Sequence, residues 1–564
     1  VSTSHIHSDS PCIGTGSANY SFGSDIDGEN WAAPPSMGCD EPSVPLAGDV
    51  DVFIVSEYTA VVPGRDLTFS AAVHGEVASN RWAFGDGASL SNSAFVSHAW
   101  STTGDYHVVF TAWNDDHTDG VSVTVIVHVA DGDYYVSAGN PSPASPYTSW
   151  GTAATDIQTA VNEAGKTVGS TVWVTNGVYD SGTAATPGYA CLNRVVLTSD
   201  IVVRSVNGPE VTTIEGAPAS GGGNGSNAVR GVYMSAGVLS GFSITNGHTM
   251  ASGDSVFDES GGGVNMYGGD GIISNCLLSG NCASDDGGGS YGGSVNSSRF
   301  SGNTAEDDGG ASCDGELSNC VLVENSAGGD GGGSRDCTLN NCVLLGNSAR
   351  GSGGASSFCT LNSSVLFGNR AIDDGGGSCS GFLNNCSLSG NTAGDRGGGS
   401  CWGRLRNCII YFNSSSASGD NWYGGDISYS CTVPEASGDG NVTNHPLLVS
   451  ASHIHSISPC RGAGSTNFVS GIDIDAEAWA IPPSMGCDEP LAPLTGDLAV
   501  SIVAEYSAVV PGRELAFSAA IQGEVASNRW TFGDGVSLAD SVLVSHAWST
   551  TGQYPVVLTA WNDN

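Results

Sequence analysis

The sequence predicts an all-β protein in which a parallel β-solenoid is flanked by antiparallel β-sandwiches. Three observations carry this prediction: a 22-residue repeat in the middle of the chain, a 448-residue repeat that relates its two ends, and short alternating apolar stretches between turn residues. Glycine contributes 82 and proline 21 of the 564 residues, a proportion that excludes a helical bundle.

The 22-residue repeat occupies the middle of the chain and consists of glycine turns, an asparagine and apolar positions. The glycines that begin each turn are Gly287, Gly309, Gly331, Gly353, Gly375 and Gly397, the asparagines are Asn281, Asn303, Asn325, Asn347, Asn369, Asn391 and Asn413, and the apolar column is Ile273, Val295, Leu317, Leu339, Leu361, Leu383 and Leu405. An alternation of period 2 between such frequent turn residues is typical of short strands and excludes a helix pair. Each repeat is therefore predicted to form one coil of a solenoid.

Stacked coils place every residue above its own counterpart, about 4.8 Å away. Leucine and valine columns then fill the interior. We expect each repeated asparagine to form a structural ladder, with its backbone in the left-handed region at a bend and its amide bonded to the asparagines above and below.

Upstream of the coils, residues 155–164 are predicted to form a helix that starts at Thr155 as N-cap. Ile157, Ala160, Val161 and Ala164 would lie on one face. We expect this helix to cover the open end of the solenoid, whose last strand otherwise exposes unpaired backbone groups.

The start of the coils and the closing motifs resemble a known family. Residues 156–161 and 173–179, followed by the repeats, resemble the right-handed parallel β-helix of the pectin-lyase-like superfamily. Residues 458–489 resemble that family's closing segment, and so do the corresponding motifs near the start of the chain, Ser-Pro-Cys, Asp-Ile-Asp-Gly and Met-Gly-Cys-Asp-Glu. The resemblance implies a β-helix domain over 131–490 with its closing segment at 449–490, and a closing segment of a preceding unit over 1–41.

Residues 48–130 alternate as short strands between turns and predict an antiparallel β-sandwich. The predicted strands are 50–55, 67–73, 80–84, 96–100, 106–113 and 121–129. The Trp-Ala-Phe-Gly-Asp-Gly run at 82–87 and His-Ala-Trp at 98–100 resemble the signature of the PKD domain, an immunoglobulin-like spacer, although Trp100 and its second-copy counterpart Trp548 stand where the family more often has tyrosine. The resemblance implies one PKD-like domain over 42–130 and a second, truncated one over 491–564.

The sequence of residues 5–114 is repeated, with substitutions, at residues 453–562. We interpret the chain as a segment of a longer tandem array in which solenoids and spacers alternate.

The charge of the chain excludes several functions. Acidic residues outnumber basic ones 57 to 16, for a net charge of −41. Such a surface repels nucleic acid, and no apolar run is long enough to predict membrane insertion. The 17 cysteines include no Cys-x-x-Cys pair, which argues against a zinc module. The pattern favours cysteines that are stacked as thiols or oxidised outside the cell. We therefore predict an extracellular or cell-surface location.

Enzymes such as pectate lyases and polygalacturonases share the resembled scaffold, but they need carboxylates and a basic residue at one unrepeated place. Here the acidic pairs recur with the coil, which indicates turn residues. We therefore predict no catalytic residues and no enzymatic activity.

The repeated acidic turns are also candidate calcium ligands, because stacked carboxylates repel each other unless a cation lies between them. The candidates are Asp285, Asp286, Asp307, Asp308, Asp373 and Asp374 in the coils, and Asp25, Asp27, Asp473 and Asp475 in the two Asp-Ile-Asp motifs. A solvated acidic surface explains the same residues and is the preferred interpretation, so no cofactor is required.

Several cysteines are also 22 residues apart, a spacing compatible with disulfides between coils. The pairs are Cys320/Cys342, Cys386/Cys408, Cys337/Cys359 and Cys379/Cys401. Disulfides and columns of buried thiols explain these four pairs equally well. Cys12/Cys39 and Cys460/Cys487 have equal spacing in the two copies, and we predict that they are disulfide clips on the closing segments.

The His-Ile-His motifs at 5–7 and 453–455 place two imidazoles on one side of a strand. No third ligand is evident, so a polar strand face is the preferred interpretation over a metal site.

The predicted function is structural: a segment of a long secreted fibre, stalk or adhesin that binds copies of itself head to tail or as a filament. The alternative is a polysaccharide-binding protein, or a polysaccharide lyase or glycoside hydrolase, acting on extracellular glycans. For that alternative we would examine Trp402, Arg404 and Arg406 and the polar excursion at 248–260, with His248, Asp254, Asp258 and Glu259.

Overall fold

A computed structural model describes residues 10–25, 30–38, 47–490, 497–504, 508–522, 525–539 and 541–562. The chain divides into two compact units. The first comprises Val1–Thr155, Thr159–Trp173 and Ser199–Val203, and the second comprises Asp156–Gln158, Val174–Thr198 and Arg204–Asn564. The domain boundaries given above stay a prediction.

The first unit contains an antiparallel β-sandwich. One sheet contains Asp51–Val55, Leu67–His74 and Phe95–His98, and the other contains Ala60–Val61, Ser79–Ala83, Ser89–Ser91, Gly104–Trp113 and Val121–Val129. Trp82 is fully buried between the sheets, against Phe69 and Phe110. The Trp100 indole donates to the carbonyl of Phe84 at 2.9 Å, which gives a polar partner to the tryptophan that departs from the family pattern.

The second sandwich lies in the second unit. Its described strands are Ala499–Val503, Leu515–Gln522 and Leu543–His546 in one sheet, and Ser527–Thr531, Ser537–Ala539 and Val557–Trp561 in the other. Trp530 is fully buried, and the Trp548 indole donates to the carbonyl of Phe532 at 2.9 Å. The two copies therefore use the same core contacts.

The coils of the second unit form long parallel sheets whose strands follow each other once per turn. The first sheet contains Val238–Ser240, Ile272–Ser274, Ser294–Asn296, Glu316–Ser318, Thr338–Asn340, Thr360–Asn362, Phe382–Asn384, Arg404–Arg406 and Asp426–Ser428. The second contains Gly177–Tyr179, Thr212–Glu215, Ser243–Thr245, Leu277–Ser279, Arg299–Ser301, Val321–Val323, Val343–Leu345, Val365–Phe367, Ser387–Ser389, Ile409–Ile410 and Cys431–Thr432.

The third sheet lies at the glycine turns, and a fourth, shorter sheet lies at the alanine corner. The third contains Ala184–Ala185, Leu192–Leu197, Val229–Met234, Val264–Asn265, Ser290–Tyr291, Ser312–Cys313, Ser334–Arg335, Ser356–Ser357, Ser378–Cys379, Ser400–Cys401 and Trp422–Tyr423. The fourth contains Cys282–Ala283, Thr304–Ala305, Ser326–Ala327, Ser348–Ala349, Arg370–Ala371, Thr392–Ala393 and Ser414–Ser415. Upstream strands are Asp133–Val136, Thr171–Val174 and Val202–Ser205.

The strand register confirms the predicted fold class, an all-β parallel β-helix with sandwich domains. Ile273 pairs with Val295, and Leu278 pairs with Phe300, each 22 residues further along the chain. These side chains are fully buried. The repeated apolar positions thus form continuous columns inside the coils.

The repeated asparagines also form one buried column, but their backbone differs from the prediction. Asn303 Nδ2 donates to Asn325 Oδ1 at 2.9 Å and to the carbonyl of Leu278 at 2.9 Å. The left-handed residue is instead the one before the asparagine, such as Gly302 with φ of 61°, and at another corner Asn275, Asn319 and their equivalents. The expectation was wrong because the buried asparagine needs its side chain inside the coil, so the preceding residue makes the turn.

The predicted helix is present as Ile157–Ala164, so the residue that precedes it is Asp156 and not the predicted N-cap Thr155. The Gln158 amide anchors its first turn, since it accepts from the backbone N–H of Val196 at 2.6 Å and donates to the Val196 carbonyl at 3.1 Å.

Residues 449–490, which we call the strap, lie along the flank of the second sheet. The Asn341 amide donates to the carbonyl of Asp473 at 2.8 Å, and Asn407 Oδ1 accepts from the N–H of Ser465 at 2.7 Å. The strap therefore contacts several coils from the side. Its regular structure is a short 3-10 turn at Thr466–Phe468.

Candidate functional site

The acidic turns of the coils form a ladder of carboxylates that accept backbone N–H groups from the next coil. Asp286 Oδ1 accepts from the N–H of Asp308 at 3.0 Å, Asp330 Oδ1 from that of Ser352 at 2.7 Å, and Asp374 Oδ1 from that of Arg396 at 3.0 Å. This bonding gives the repeated carboxylates a structural role. The sequence could not show it, because a carboxylate bound to the backbone and a solvated one have the same pattern.

Arginines neutralise part of this ladder. Arg335 forms an ion pair with Asp308, and Arg396 Nε lies 3.4 Å from Asp374 Oδ1. One carboxylate at each of these two turns already has a positive partner. A calcium ion is therefore less necessary to reduce the repulsion at Asp307/Asp308 and Asp373/Asp374 than the sequence indicates.

One end of the ladder differs. The carboxylates of Asp285, Asp286 and Asp307 lie close enough together for a single cation to contact all three. Burial and the neighbouring carboxylates raise the pKa values of both Asp285 and Asp286 to about 6. Calcium binding at these residues stays a prediction.

The raised pKa of Asp285 gives a stability prediction. Because the folded protein disfavours the ionised carboxyl, its penalty is absent below the ordinary pKa near 3.8, grows between that pH and about 6, and is fully present above about 6. In EDTA, Asp285→Asn should therefore raise the urea midpoint at pH 7.5 and leave it unchanged at pH 3.5. An equal shift at both pH values, or the same shift for the exposed control Glu435→Gln, would contradict the prediction.

The Asp-Ile-Asp motif of the strap combines a structural and an exposed carboxylate. Asp473 is fully buried, and its Oδ1 accepts from the N–H groups of Asp475 and Glu477 at 3.1 and 2.7 Å. Asp475 Oδ2 lies 2.7 Å from His453 Nε2, so the structure brings the Asp-Ile-Asp and His-Ile-His motifs together. In the first copy Asp25 is buried, whereas Asp27 and the histidines at 5 and 7 lie outside the described residues.

All described cysteines are free thiols. The predicted clip between Cys460 and Cys487 is therefore not formed: the Cys460 thiol interacts with Cys431, and Cys487 Sγ lies 3.4 Å from Ser387 Oγ. The reason is that the strap lies along the flank, where both thiols face coil residues. Cys12 is free, and its predicted partner Cys39 lies outside the described residues.

The disulfides considered for the ladder cysteines are not formed either, so these residues follow the thiol alternative. Each member is a free thiol, namely Cys320, Cys337, Cys342, Cys359, Cys379, Cys386, Cys401 and Cys408. In each pair the two thiols face each other through a side-chain hydrogen bond, and the pairs are Cys320/Cys342, Cys337/Cys359, Cys379/Cys401 and Cys386/Cys408. Burial raises the pKa of Cys342 well above the ordinary thiol value, so this thiol is inert while the coil is folded.

Cys386 and Cys408 have the coil spacing but no disulfide. Cys408 is a free thiol whose Sγ lies 3.5 Å from the carbonyl oxygen of Leu383 and 3.2 Å from that of Arg406. In the same way, Cys386 Sγ lies 3.6 Å from the carbonyl oxygen of Leu361. Both thiols have backbone carbonyls as hydrogen-bond acceptors within the coils. The candidate disulfide between Cys386 and Cys408 is therefore contradicted by the structure.

Alkylation tests this thiol state. Iodoacetamide without reductant should leave the ladder cysteines unmodified in the folded protein, because they are buried, and should modify all of them in urea. Peptide mass spectrometry with and without prior reduction gives the readout. Ladder cysteines that react in urea only after reduction would show disulfides instead.

Trp402, Arg404 and Arg406 lie together on the flank of the first sheet. The Trp402 side chain is 56% exposed, and the Arg404 guanidinium lies 5.3 Å from the centre of the exposed Phe382 ring. Asp426 Oδ2 lies 2.5 Å from Arg406 Nη2 and 3.9 Å from Arg404 Nε. The patch is therefore aromatic, and one carboxylate partly compensates the charge of its two arginines, which the sequence missed because Asp426 is a full coil away.

The polar excursion at 248–260 is held by its own acidic residues. Asp258 is buried and its Oδ1 accepts from the N–H groups of Ala190 and Cys191 at 2.9 and 2.8 Å. Asp254 Oδ1 accepts from the N–H groups of Val256 and Phe257. Burial lowers the pKa of His248. Asp254 and Asp258 stabilise a loop, so the excursion offers less for sugar chemistry than expected.

No helix in the described part of the chain has the length and apolar character needed to cross a membrane. No curated protein matches the chain significantly. Residues 53–127 and 499–564 match the PKD domain family, and PKD domains are usually found in extracellular proteins. The match covers both sandwiches. The chain therefore carries two PKD domains, one before and one after its parallel coils.

Proposed function

We propose that this chain is a structural segment of a long extracellular fibre, stalk or adhesin, and that β-helix units of the pectin-lyase-like type and PKD spacers extend it by repetition. The observation that carries the proposal is the ladder of buried asparagines and apolar columns, in which one residue type serves every coil. Such a ladder gives rigidity and length with little new sequence information.

The acidic ladder supports a non-catalytic role. The carboxylates of Asp286, Asp330 and Asp374 are engaged with backbone N–H groups, so they are not available as paired acid and base. Their repetition also differs from a catalytic site, which needs one unique arrangement of residues.

The 448-residue repeat supports assembly with further copies of the same chain, as tandem units or as a filament at the cell surface. Electron microscopy and analytical ultracentrifugation of the purified chain over a concentration series test the filament. We expect linear assemblies that lengthen with concentration. Isolated monodisperse monomers at every concentration would refute the filament. The tandem array within one long chain is a separate claim, and the complete reading frame tests it.

The second candidate function is binding of extracellular polysaccharide, which the exposed Trp402 and Phe382 rings favour because sugar rings stack on aromatic side chains. Calorimetry with neutral and acidic polysaccharides tests it. Trp402→Ala should abolish binding, whereas Phe95→Ala, at an exposed aromatic residue of the first sandwich, should not. Unsaturated products absorbing in the ultraviolet after incubation would instead indicate a lyase.

A further inference from the structure

The strap contains a cluster of one histidine and several carboxylates that the structural role leaves unexplained. The ligand atoms of His453, Asp475 and Asp488 all lie within 4.8 Å of one another. The three residues come from three separate stretches of the strap, next to the His-Ile-His, Asp-Ile-Asp and Met-Gly-Cys-Asp motifs. The fold, not local sequence, brings them together.

Asp488 is the residue that points to a ligand. Its side chain is 1% exposed, and Oδ2 accepts from the N–H of Ile454 at 3.4 Å. Its Oδ1 is buried and has no hydrogen-bond partner among the described residues. A buried carboxylate oxygen without a partner is costly unless a cation compensates it. In keeping with this cost, burial raises the pKa of Asp488 to about 7.

A second unpaired oxygen lies close to the same cluster. Glu477 Oε2 is buried and, within the described part of the chain, also has no hydrogen-bond partner. Burial, followed by the charges of Asp473 and Asp475, raises the pKa of Glu477, and the charge of His453 lowers it. The cluster thus has more carboxylates than one imidazolium could neutralise.

The imidazole is oriented as a metal ligand would be. His453 is 3% exposed, and its Nδ1 lies 2.7 Å from both Ser450 Oγ and Ser452 Oγ. If Nδ1 donates to a serine, Nε2 presents its lone pair toward Asp475 and Asp488. A simple His453–Asp475 pair would explain this orientation but would leave the Asp488 oxygen unpaired.

We propose that His453, Asp475 and Asp488 bind one divalent transition-metal cation of the zinc class. A nitrogen ligand with few carboxylates suits zinc, whereas calcium takes six to eight oxygen ligands. The proposal therefore shares Asp475 with the calcium site predicted at Asp473 and Asp475, but it differs from that site in the metal and in the other ligands.

The metal would fasten the strap. The strap has little regular structure of its own, and a cation bound to residues 453, 475 and 488 joins three parts of it in the way that structural zinc stabilises small folds. The 448-residue repeat supports this role at the level of sequence. The counterparts of His453, Asp475, Glu477 and Asp488 in the first copy are the same residue types, at His5, Asp27, Glu29 and Asp40. They are the same although 12 of the 41 aligned positions between 1–41 and 449–489 differ. These four residues lie outside the described residues.

Zinc titration of the full chain tests the proposal. The protein is stripped with EDTA and dialysed against metal-free buffer. Bound zinc is then measured by equilibrium dialysis with elemental analysis, and the thermal midpoint is measured with and without Zn²⁺. The ligand variants are His453→Gln and Asp488→Asn. The matched control is His455→Gln, at the other histidine of the same motif.

We expect zinc to raise the thermal midpoint, and each ligand variant to lose one bound zinc per chain or to bind it at least about 10-fold more weakly. The control should behave like the parent. Without metal, Asp488→Asn should be folded and at least as stable as the parent at pH 8, because it removes a buried carboxyl. A parent that binds no zinc, or ligand variants that keep it with unchanged affinity, would overturn the proposal.

Discussion

Gly332→Ala is expected to destabilise the coils by more than about 3 kcal/mol. A Cβ at Gly332 would overlap the backbone carbonyl of Ser348 and approach the Gly354 carbonyl of the next coil to 2.5 Å. Both obstacles are backbone atoms, so no side-chain rotation relieves the overlap. The coils would have to separate, which breaks the parallel ladder on both sides.

Gly368→Ala is the matched control, because it separates steric overlap from backbone strain. Gly368 has φ of 67° and nothing within 4 Å of an added Cβ. Its substitution should therefore cost only the left-handed penalty of about 1–2 kcal/mol. Urea denaturation followed by circular dichroism measures both. Equal losses for the two variants would show that the coils are not packed as closely as described.

Asn347→Ala is expected to cost about 3 kcal/mol, since it interrupts the buried asparagine ladder in both directions. The Asn347 amide donates to the Leu322 carbonyl at 3.0 Å and to Asn369 Oδ1 at 3.0 Å. Its Oδ1 accepts from both the backbone N–H and Nδ2 of Asn325. Alanine removes the acceptor of the Asn325 backbone N–H, and it takes one of two hydrogen bonds from both Asn325 Nδ2 and Asn369 Oδ1, all of them where water does not reach.

A second asparagine ladder provides the control for this substitution. On the first sheet Asn362 Nδ2 donates to Asn340 Oδ1 at 2.9 Å, and Asn384 Nδ2 donates to Asn362 Oδ1 at 3.0 Å, but these side chains are half-buried. Water can replace the lost bonds there, so Asn362→Ala should cost less than about 1 kcal/mol. If the urea midpoint falls as far for Asn362→Ala as for Asn347→Ala, burial is not what makes the inner ladder stabilising.

Much of the fold could be predicted because a solenoid repeats its constraints. The period of Ile273, Val295 and Leu317 specifies both the coil length and the residues that face inward, and the register agrees. What the period does not contain is the backbone conformation within a coil. The left-handed turn was therefore assigned to the asparagine and not to the residue before it, such as Gly302.

The strap shows where sequence reasoning stops. The pairs His453–Asp475 and Asn341–Asp473 join residues that are 22 and 132 positions apart. The strap has no sequence period of its own, so no periodicity indicates that these residues lie close together. One signal was available: Val343, Leu345, Val365 and Phe367 are apolar at outward positions of the second sheet, and they pack against or form part of the buried cluster that contains strap residues. Such outward apolar residues predict that something covers the flank, though not which segment.

The distance between spin labels on the first sheet tests the central claim, that residues 22 apart stack along one axis. Ile272, Phe382 and Arg404 are exposed and lie in one column, five and six coils apart through successive strand pairs. Double electron–electron resonance should give a distance of about 24 Å between labels at 272 and 382. Between labels at 272 and 404 the distance should be about 29 Å, which is one coil spacing more. A distance that does not increase by about 5 Å with the added coil would contradict the stacked architecture and the structural function inferred from it.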